Sequence, residues 1–262
     1  MSLAKAGVAC LTILLAACST NAQVSAPHSP PVPTLDDMRT VSPALAHNTE
    51  TTLLGEVWKR PGLTPRDRSL VTLAVLISKQ QTVELAYHLN LALDNGVKPS
   101  EISEAINHLA FYTGWGNATA TILITKDVFE KRDIKQDQLP PVSPPLLPID
   151  QASENVRTAY VDKNVGPVSP GLVHYTSASL FHDLWLRPDL APRDRSMITV
   201  SALIATGQVA QLKAHLTRAM DNGLTQAQAS EMLTQLAFYT GWPNVFTAVP
   251  VFNEVFTSRL KS

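Results

Sequence analysis

Glu84 and His88 stand four residues apart, a spacing that on a helix stacks a carboxylate and an imidazole on one face. A carboxylate beside a histidine raises the basicity of the ring and fixes its tautomer, which makes an acid–base pair usable near neutral pH. The run Arg66-Asp67-Arg68-Ser69 is the second candidate. Two guanidinium groups in the first turn of a helix oppose its dipole, at about 0.3–1 kcal/mol each, and Asp67 offsets only part of that. Such a placement is expected where an anion sits, because an arginine fork gives bidentate, charge-assisted hydrogen bonds to a carboxylate. The anion is either a substrate or an acid on a neighbouring helix or subunit, and the sequence leaves both open. In the catalytic reading, Arg66 and Arg68 hold the anionic group while Glu84 and His88 move a proton.

Both arrangements recur. Arg193-Asp194-Arg195-Ser196 and His215 lie 127 residues further on, the offset that also relates Trp58 to Trp185, and it holds without a gap from 41–129 to 168–256. Self-similarity at one constant offset marks an internal duplication. The glutamate does not recur: its counterpart is Gln211, which can orient an imidazole without raising its pKa, so the two histidines are expected to titrate differently. His215 joins the catalytic candidates, and Arg193 and Arg195 the substrate-binding ones. Tyr112, Trp115, His47 and His108 complete the substrate-binding set. His47 is matched by His174, whereas His108 is answered by Gln235; a core or interface histidine with one satisfied nitrogen is the competing account of each. The Tyr112 phenol can donate into a pocket, although a helix stop at Gly114, with Trp115 packing back on it, explains much of the copied stretch Leu109–Trp115. Asn117 and Asn244 read as caps.

The elements that must position these groups are marked by their ends. Ser42-Pro43 supplies N-cap and first residue of a helix to about Trp58, and Thr64-Pro65 with Asp67 opens a second to about Ser78. The body of that second helix is apolar nearly all round, which predicts a central, buried position. Thr82 opens a third, with Leu85, Leu89, Ala92 and Leu93 on one stripe and Asn95-Gly96 as a left-handed stop. Pro99 starts a fourth that ends at Gly114, Asn117 caps a fifth, and Pro250 is expected to kink the last helix of the second copy. No segment alternates with period two between turn signals, so no strands are predicted. The fold class is all-α: two tandem helical bundles of about five helices each. Residues 38–133 form repeat 1 and 161–262 repeat 2, separated over 134–160 by a Pro-rich linker.

At 262 residues the chain is long enough for two cores of ordinary size. Its net charge of −1, with both signs interspersed, lacks the basic stripe of nucleic-acid binding. Both cysteines, Cys10 and Cys18, lie in the first eighteen residues, so thiol chemistry is excluded from the bundles. There is no His-x-x-x-His, Glu-x-x-His or carboxylate cluster, and no metal is expected. No phosphate-cradling loop is present either, so no cofactor is expected, and any electron sink must belong to the substrate. Lys5 followed by the apolar stretch 8–15 reads as a signal peptide. Leu15-Ala16-Ala17-Cys18 is lipobox-like, with lipidation at Cys18, plain cleavage being the alternative. Residues 1–18 are then the signal peptide and 19–37 a flexible tether. The expected product is a periplasmic lipoprotein anchored in the outer membrane by lipid alone.

Taken in order, Trp58-Lys59-Arg60-Pro61-Gly62-Leu63, Arg66-Asp67-Arg68-Ser69-Leu70, Glu84-Leu85-x-x-His88, Asp94-Asn95-Gly96, Glu101-Ile102-x-Glu104 and Ala110-x-Tyr112-x-Gly114-Trp115 resemble the carboxymuconolactone decarboxylase family, within the alkylhydroperoxidase D-like group. The resemblance covers nearly all of both repeats. It implies two helical bundles related by pseudo-two-fold symmetry, and a homo-oligomer in which three such chains complete a ring of six. It implies a cofactor-independent lyase that removes CO2 from a small carboxylated lactone or oxo acid, with Arg66 and Arg68 as anion binders and Glu84 and His88 as the acid–base pair. The peroxidase branch uses a Cys-x-x-Cys pair where this chain has Thr82–His88, so thiol peroxidase chemistry is not implied. The rival readings are a proton-transfer or hydrolytic enzyme using the same residues, and a non-catalytic small-anion binding lipoprotein.

Overall fold

The computed structural model describes residues 32–260; Cys18 and the signal peptide lie outside the described residues. The chain is helical, in the order α1 Leu35–Val41, α2 Pro43–Asn48, α3 Pro65–Ser78, α4 Thr82–Asp94, α5 Pro99–Thr113, α6 Trp115–Thr119 and α7 Ile122–Lys131. These are followed by α8 Gln151–Asn164, α9 Pro170–Tyr175, α10 Pro192–Ala205, α11 Val209–Asp221, α12 Gln226–Thr240 and α13 Trp242–Arg259. No strand occurs among the described residues. The duplication is visible throughout: α2–α5 reappear as α9–α12, and α6 with α7 reappears as the single helix α13.

The caps follow the sequence closely where the chemistry is strong. Thr64 accepts from the Asp67 amide, 3.1 Å away, and starts α3. Gly96, Gly114, Gly223 and Gly241 take positive φ just past helix ends, the conformation that costs glycine least. Four expectations need correction. The helix expected from Pro43 to about Trp58 breaks into α2, a π turn over Thr49–Leu53 and a 3₁₀ turn over Val57–Lys59, so Trp58 sits on a tight turn rather than a helix. Asn117 caps no helix start; its amide donates to the carbonyls of Ser78 and Thr113 and ties the ends of α3 and α5 together. The segment 134–160 is not extended throughout, because Asp150 caps α8 by accepting from Ala152 and Ser153 amides. Helix α1 begins inside the stretch read as tether, through a reciprocal Thr34–Asp37 capping box. Pro250 lies inside α13 without ending it.

The two central helices carry the fold. From Asp67 to Ser78 every residue of α3 is buried, and from Asp194 to Ala205 every residue of α10. They pack against each other across the pseudo-two-fold axis. Each also packs on the fifth-position helix of the other copy, α3 on α12 and α10 on α5. The apolar residues of both repeats therefore merge into one cluster, running from Leu63 to Val255, in place of the two cores that length allowed. That exchange brings side chains of both repeats to each site described below.

Candidate functional site

The arginines of the two Arg-Asp-Arg runs do not open onto a pocket. Arg66 Nη2 donates to Glu101 Oε1 at 2.6 Å and to Asp194 Oδ2 at 2.8 Å, and Arg193 answers across the axis on Asp67 Oδ2 at 2.7 Å while also donating to its neighbour Asp194 Oδ1 at 2.7 Å. Arg68 and Arg195 are 0% exposed. Arg68 Nη2 donates to Glu231 Oε1 at 2.8 Å and its Nη1 to Gln235 Oε1 at 3.0 Å. Arg195 Nη2 donates to Glu104 Oε2 at 2.9 Å. The anions that offset the helix dipoles are thus acids of the chain itself, largely from the opposite repeat. The expectation that Arg66, Arg68, Arg193 and Arg195 bind substrate is corrected accordingly: their Nη groups are engaged by groups of the chain itself, while Nε of Arg68 and of Arg195 is buried without a hydrogen-bond partner among the described residues.

His108 belongs to the same layer. It is fully buried, accepting at Nδ1 from Arg195 at 3.4 Å, with Nε2 2.7 Å from Thr199 Oγ1. Since guanidinium only donates, the ring proton sits on Nε2. Burial, then the Arg195 charge, holds its pKa well below the ordinary histidine value. Gln235 does the same work in the other copy, accepting a hydrogen bond from Arg68 and donating to Thr72 Oγ1 at 3.1 Å. His108 is a bridging group of the core rather than a substrate ligand. His47 is exposed on α2, and among the described residues no ring or polar contact joins it to the histidine clusters. Trp115, 60% exposed, leans on Phe111 at 5.0 Å between ring centroids and stands outside the cavity lining.

One layer further out, two aromatic clusters repeat the same design, each drawing on both repeats. In the first, Trp58 Nε1 donates to Tyr239 Oη at 2.8 Å. His88 stacks on Trp58 at 6.0 Å and meets Tyr239 edge-on at 5.4 Å. In the second, Trp185 Nε1 donates to Tyr112 Oη at 2.9 Å, and His215 stacks on Trp185 at 6.0 Å and meets Tyr112 at 5.2 Å. Tyr112 is thereby placed beside His215 rather than His88, and it also stacks on His108 at 4.8 Å. Nδ1 of both His88 and His215 is buried without a hydrogen-bond partner among the described residues. Burial brings both rings down to a pKa of about 4, with the Arg218 charge adding to the effect at His215. The expected rise in basicity at His88 does not occur. Glu84 Oε2 lies 3.8 Å from His88 Nε2, beyond hydrogen-bond range, and Glu84 is half exposed. Nor do the two copies differ in the sense expected, since both histidines are neutral at pH 7. Burial also pushes the phenols of Tyr112 and Tyr239 up, so both stay protonated.

A cavity of about 350 Å³ opens beside His215, lined among others by Tyr112, Thr206, Gln208 and Gln211. The positions that answer these in the first cluster are Tyr239, Lys79, Gln81 and Glu84. Lys79 Nζ donates to the carbonyl of Thr240, the residue after Tyr239, at 3.3 Å. Sequence reasoning passed over Trp58, Trp185, Tyr239 and Lys79. The tryptophans and Tyr239 were recoverable as members of the constant-offset pairs, and Lys79 as a charge present in one copy and missing from the other. Among the described residues no group of three His, Cys, Asp or Glu side chains is placed to hold a metal ion.

Residues 43–127 and again 170–254 match the family described as Carboxymuconolactone decarboxylase family. A 4-carboxymuconolactone decarboxylase of Acinetobacter baylyi is 39% identical over 85 residues, covering 32% of this chain and 63% of that protein. A nitrosuccinic acid decarboxylase npaB of Metarhizium robertsii is 36% identical over 88 residues, 32% of this chain and 62% of that protein. The chain thus spans somewhat under two thirds of the length of these curated relatives. A solved structure from Burkholderia xenovorans LB400, described as a candidate gamma-carboxymuconolactone decarboxylase subunit, superposes with a TM-score of 0.52 over 86% of this chain and 90% of that one. At 18% identity it speaks for the fold alone.

Proposed function

This chain belongs to the carboxymuconolactone decarboxylase family, and from that premise we propose that it is a cofactor-independent decarboxylase of a small carboxylated lactone or oxo acid, working at the Glu84–His88 cluster. The observation that carries this reading is the neutral His88 ring, set between Trp58 and Tyr239, with the half-exposed Glu84 at one edge and Lys79 bonded to the carbonyl of the residue after the tyrosine. Two relatives named as decarboxylases support the reaction class.

Lys79 supplies a cation to the cluster and attracts a substrate carboxylate. Loss of CO2 leaves an electron pair that the substrate's own conjugated carbonyl accepts, so negative charge grows on that oxygen. Donors aimed at the growing charge lower the barrier, each by about 2.7–4 kcal/mol where such groups have been removed. The Tyr239 hydroxyl, whose oxygen already accepts from Trp58, and an N–H of neutral His88 are suited to that role. One proton must then replace CO2 on carbon. Glu84 links the His88 edge to solvent, from which this proton is drawn. A trimer of two-repeat chains and a lipid anchor at Cys18 belong to the same proposal.

The test is CO2 release from a panel of carboxylated lactones and 3-oxo acids, followed by a coupled bicarbonate assay. His88→Ala should lower turnover by about 10²-fold or more, and Glu84→Gln should lower it less. A panel member converted without CO2 release would favour proton transfer, and unchanged turnover in His88→Ala would remove His88 from the mechanism.

A further inference from the structure

We infer that the cavity beside His215 is a second, separate binding site, and that its ligand is a small uncharged cyclic carbonyl compound. The inference stands apart from the function proposed above and holds whether or not the first cluster decarboxylates anything.

The volume, about 350 Å³, falls at the lower end of the range of small-molecule pockets, roughly 300–1,000 Å³. The walls combine an apolar side from Phe111 and Leu203 with polar groups from Tyr112, Thr206, Gln211 and His215. No formally charged side chain lines it. This is where the two copies part: Thr206 stands for Lys79 and Gln211 for Glu84, so both charges of the first cluster are exchanged for neutral groups. Arg195 acts electrostatically on Tyr112, and Arg218, one turn beyond His215 on α11, acts on both Tyr112 and His215. The Arg218 guanidinium lies over the rings of Phe181 and Trp185, at 5.2 Å and 5.1 Å, and does not line the cavity.

A carboxylate entering this cavity would lose water while the nearby cations, Arg218 and Arg195, stay outside the lining, so it gains no direct ion pair there. A neutral carbonyl compound meets no such penalty and finds donors. Tyr112 Oη accepts from Trp185, which leaves the phenolic proton to be donated, and the Gln211 amide offers both a donor and an acceptor. His215 Nδ1 has no partner among the described residues, so the ring is not committed to one tautomer by the protein. A planar ring bearing a carbonyl can lie against Phe111 while its oxygen accepts a hydrogen bond from the Tyr112 hydroxyl.

Titration of the intact chain, labelled at its histidine rings, tests this by NMR, with the His215 signals assigned by His215→Gln. The probes are 2(5H)-furanone, an uncharged unsaturated lactone, and levulinate, an anionic oxo acid. Furanone should move the His215 signals to saturation with a Kd at least about tenfold below that of levulinate. Tyr112→Phe should weaken furanone about fivefold to tenfold, the loss of one hydrogen bond. Thr206→Lys combined with Gln211→Glu, which recreates the charges of the first cluster, should abolish the preference. Levulinate binding at His215 as tightly as furanone overturns the inference. So does furanone leaving the His215 signals of the folded protein unmoved, or an unchanged preference in the double variant.

Discussion

His88 lies against three aromatic rings, those of Trp58, Tyr87 and Tyr239, with a carboxylate 3.8 Å away, and two opposing effects act on its charge. Glu84 is half exposed, so water screens it, and an ion pair of this kind contributes about 0–1 kcal/mol. Burial of an imidazolium costs several kcal/mol, and burial wins: the ring is neutral down to about pH 4. His215 behaves alike. The consequence for stability has a definite sign. In the unfolded chain these rings take a proton near 6.5, in the folded chain only near 4. Between those values the unfolded state binds more protons, so stability is complete above pH 6.5 and declines as pH falls toward 4. Each ring accounts for roughly 3 kcal/mol of that decline at most, and buried His108 adds to it. Thermal melts between pH 7 and pH 4 should show a falling Tm, and the double variant His88→Gln, His215→Gln should flatten the slope. A slope unaltered by both substitutions would contradict the neutral-ring assignment.

At the scale of the helix, the buried guanidinium groups explain why α3 and α10 tolerate two cations in their first turns. Arg195 is 0% exposed and Glu104 1%, and the pair bridges α10 to α5 of the other repeat. Arg187 joins it, 2.8 Å from Glu104 Oε1. Removing the acid leaves Arg195, wholly buried, without an anion, a situation that costs about 3–5 kcal/mol. Glu104→Gln should therefore lower the urea midpoint steeply. Combining it with Arg195→Met should restore a large part of the loss, because the buried charge departs with its partner. If Glu104→Gln costs under about 1 kcal/mol, the network is not what joins the repeats. Apolar packing between α3 and α10 would then be the main support.

For the molecule as a whole, exchange of helix contacts between copies makes the duplication indivisible. One apolar cluster runs through both repeats, and α3 alone would expose the face that α10 and α12 cover. Calorimetry of the chain should show one unfolding transition with equal calorimetric and van't Hoff enthalpies. The isolated segment 38–133 should fail to give a cooperative melt unless 161–262 is supplied with it. A cooperative melt of the isolated repeat would show that the copies are independent domains.

Periodicity, caps and constant-offset pairing were enough to read an all-α duplicated fold, the buried character of α3 and the stops at Gly96 and Gly114, because these depend on local backbone chemistry. The family resemblance was legible for the same reason: its motifs are short and ordered along the chain. The grouping of the histidines was only half legible. Glu84 and His88 share a helix face, but Tyr239 of the second repeat meets His88 and Tyr112 of the first meets His215, a crossing that no spacing along the chain reveals. The role of the arginines was decided in three dimensions as well, since a guanidinium near a helix start fits a substrate or a neighbouring acid equally until Glu231, Glu104, Asp67 and Asp194 are placed. So was the charge on the imidazoles, because desolvation depends on what surrounds a ring, whereas the sequence by itself determines only which groups are available to surround it.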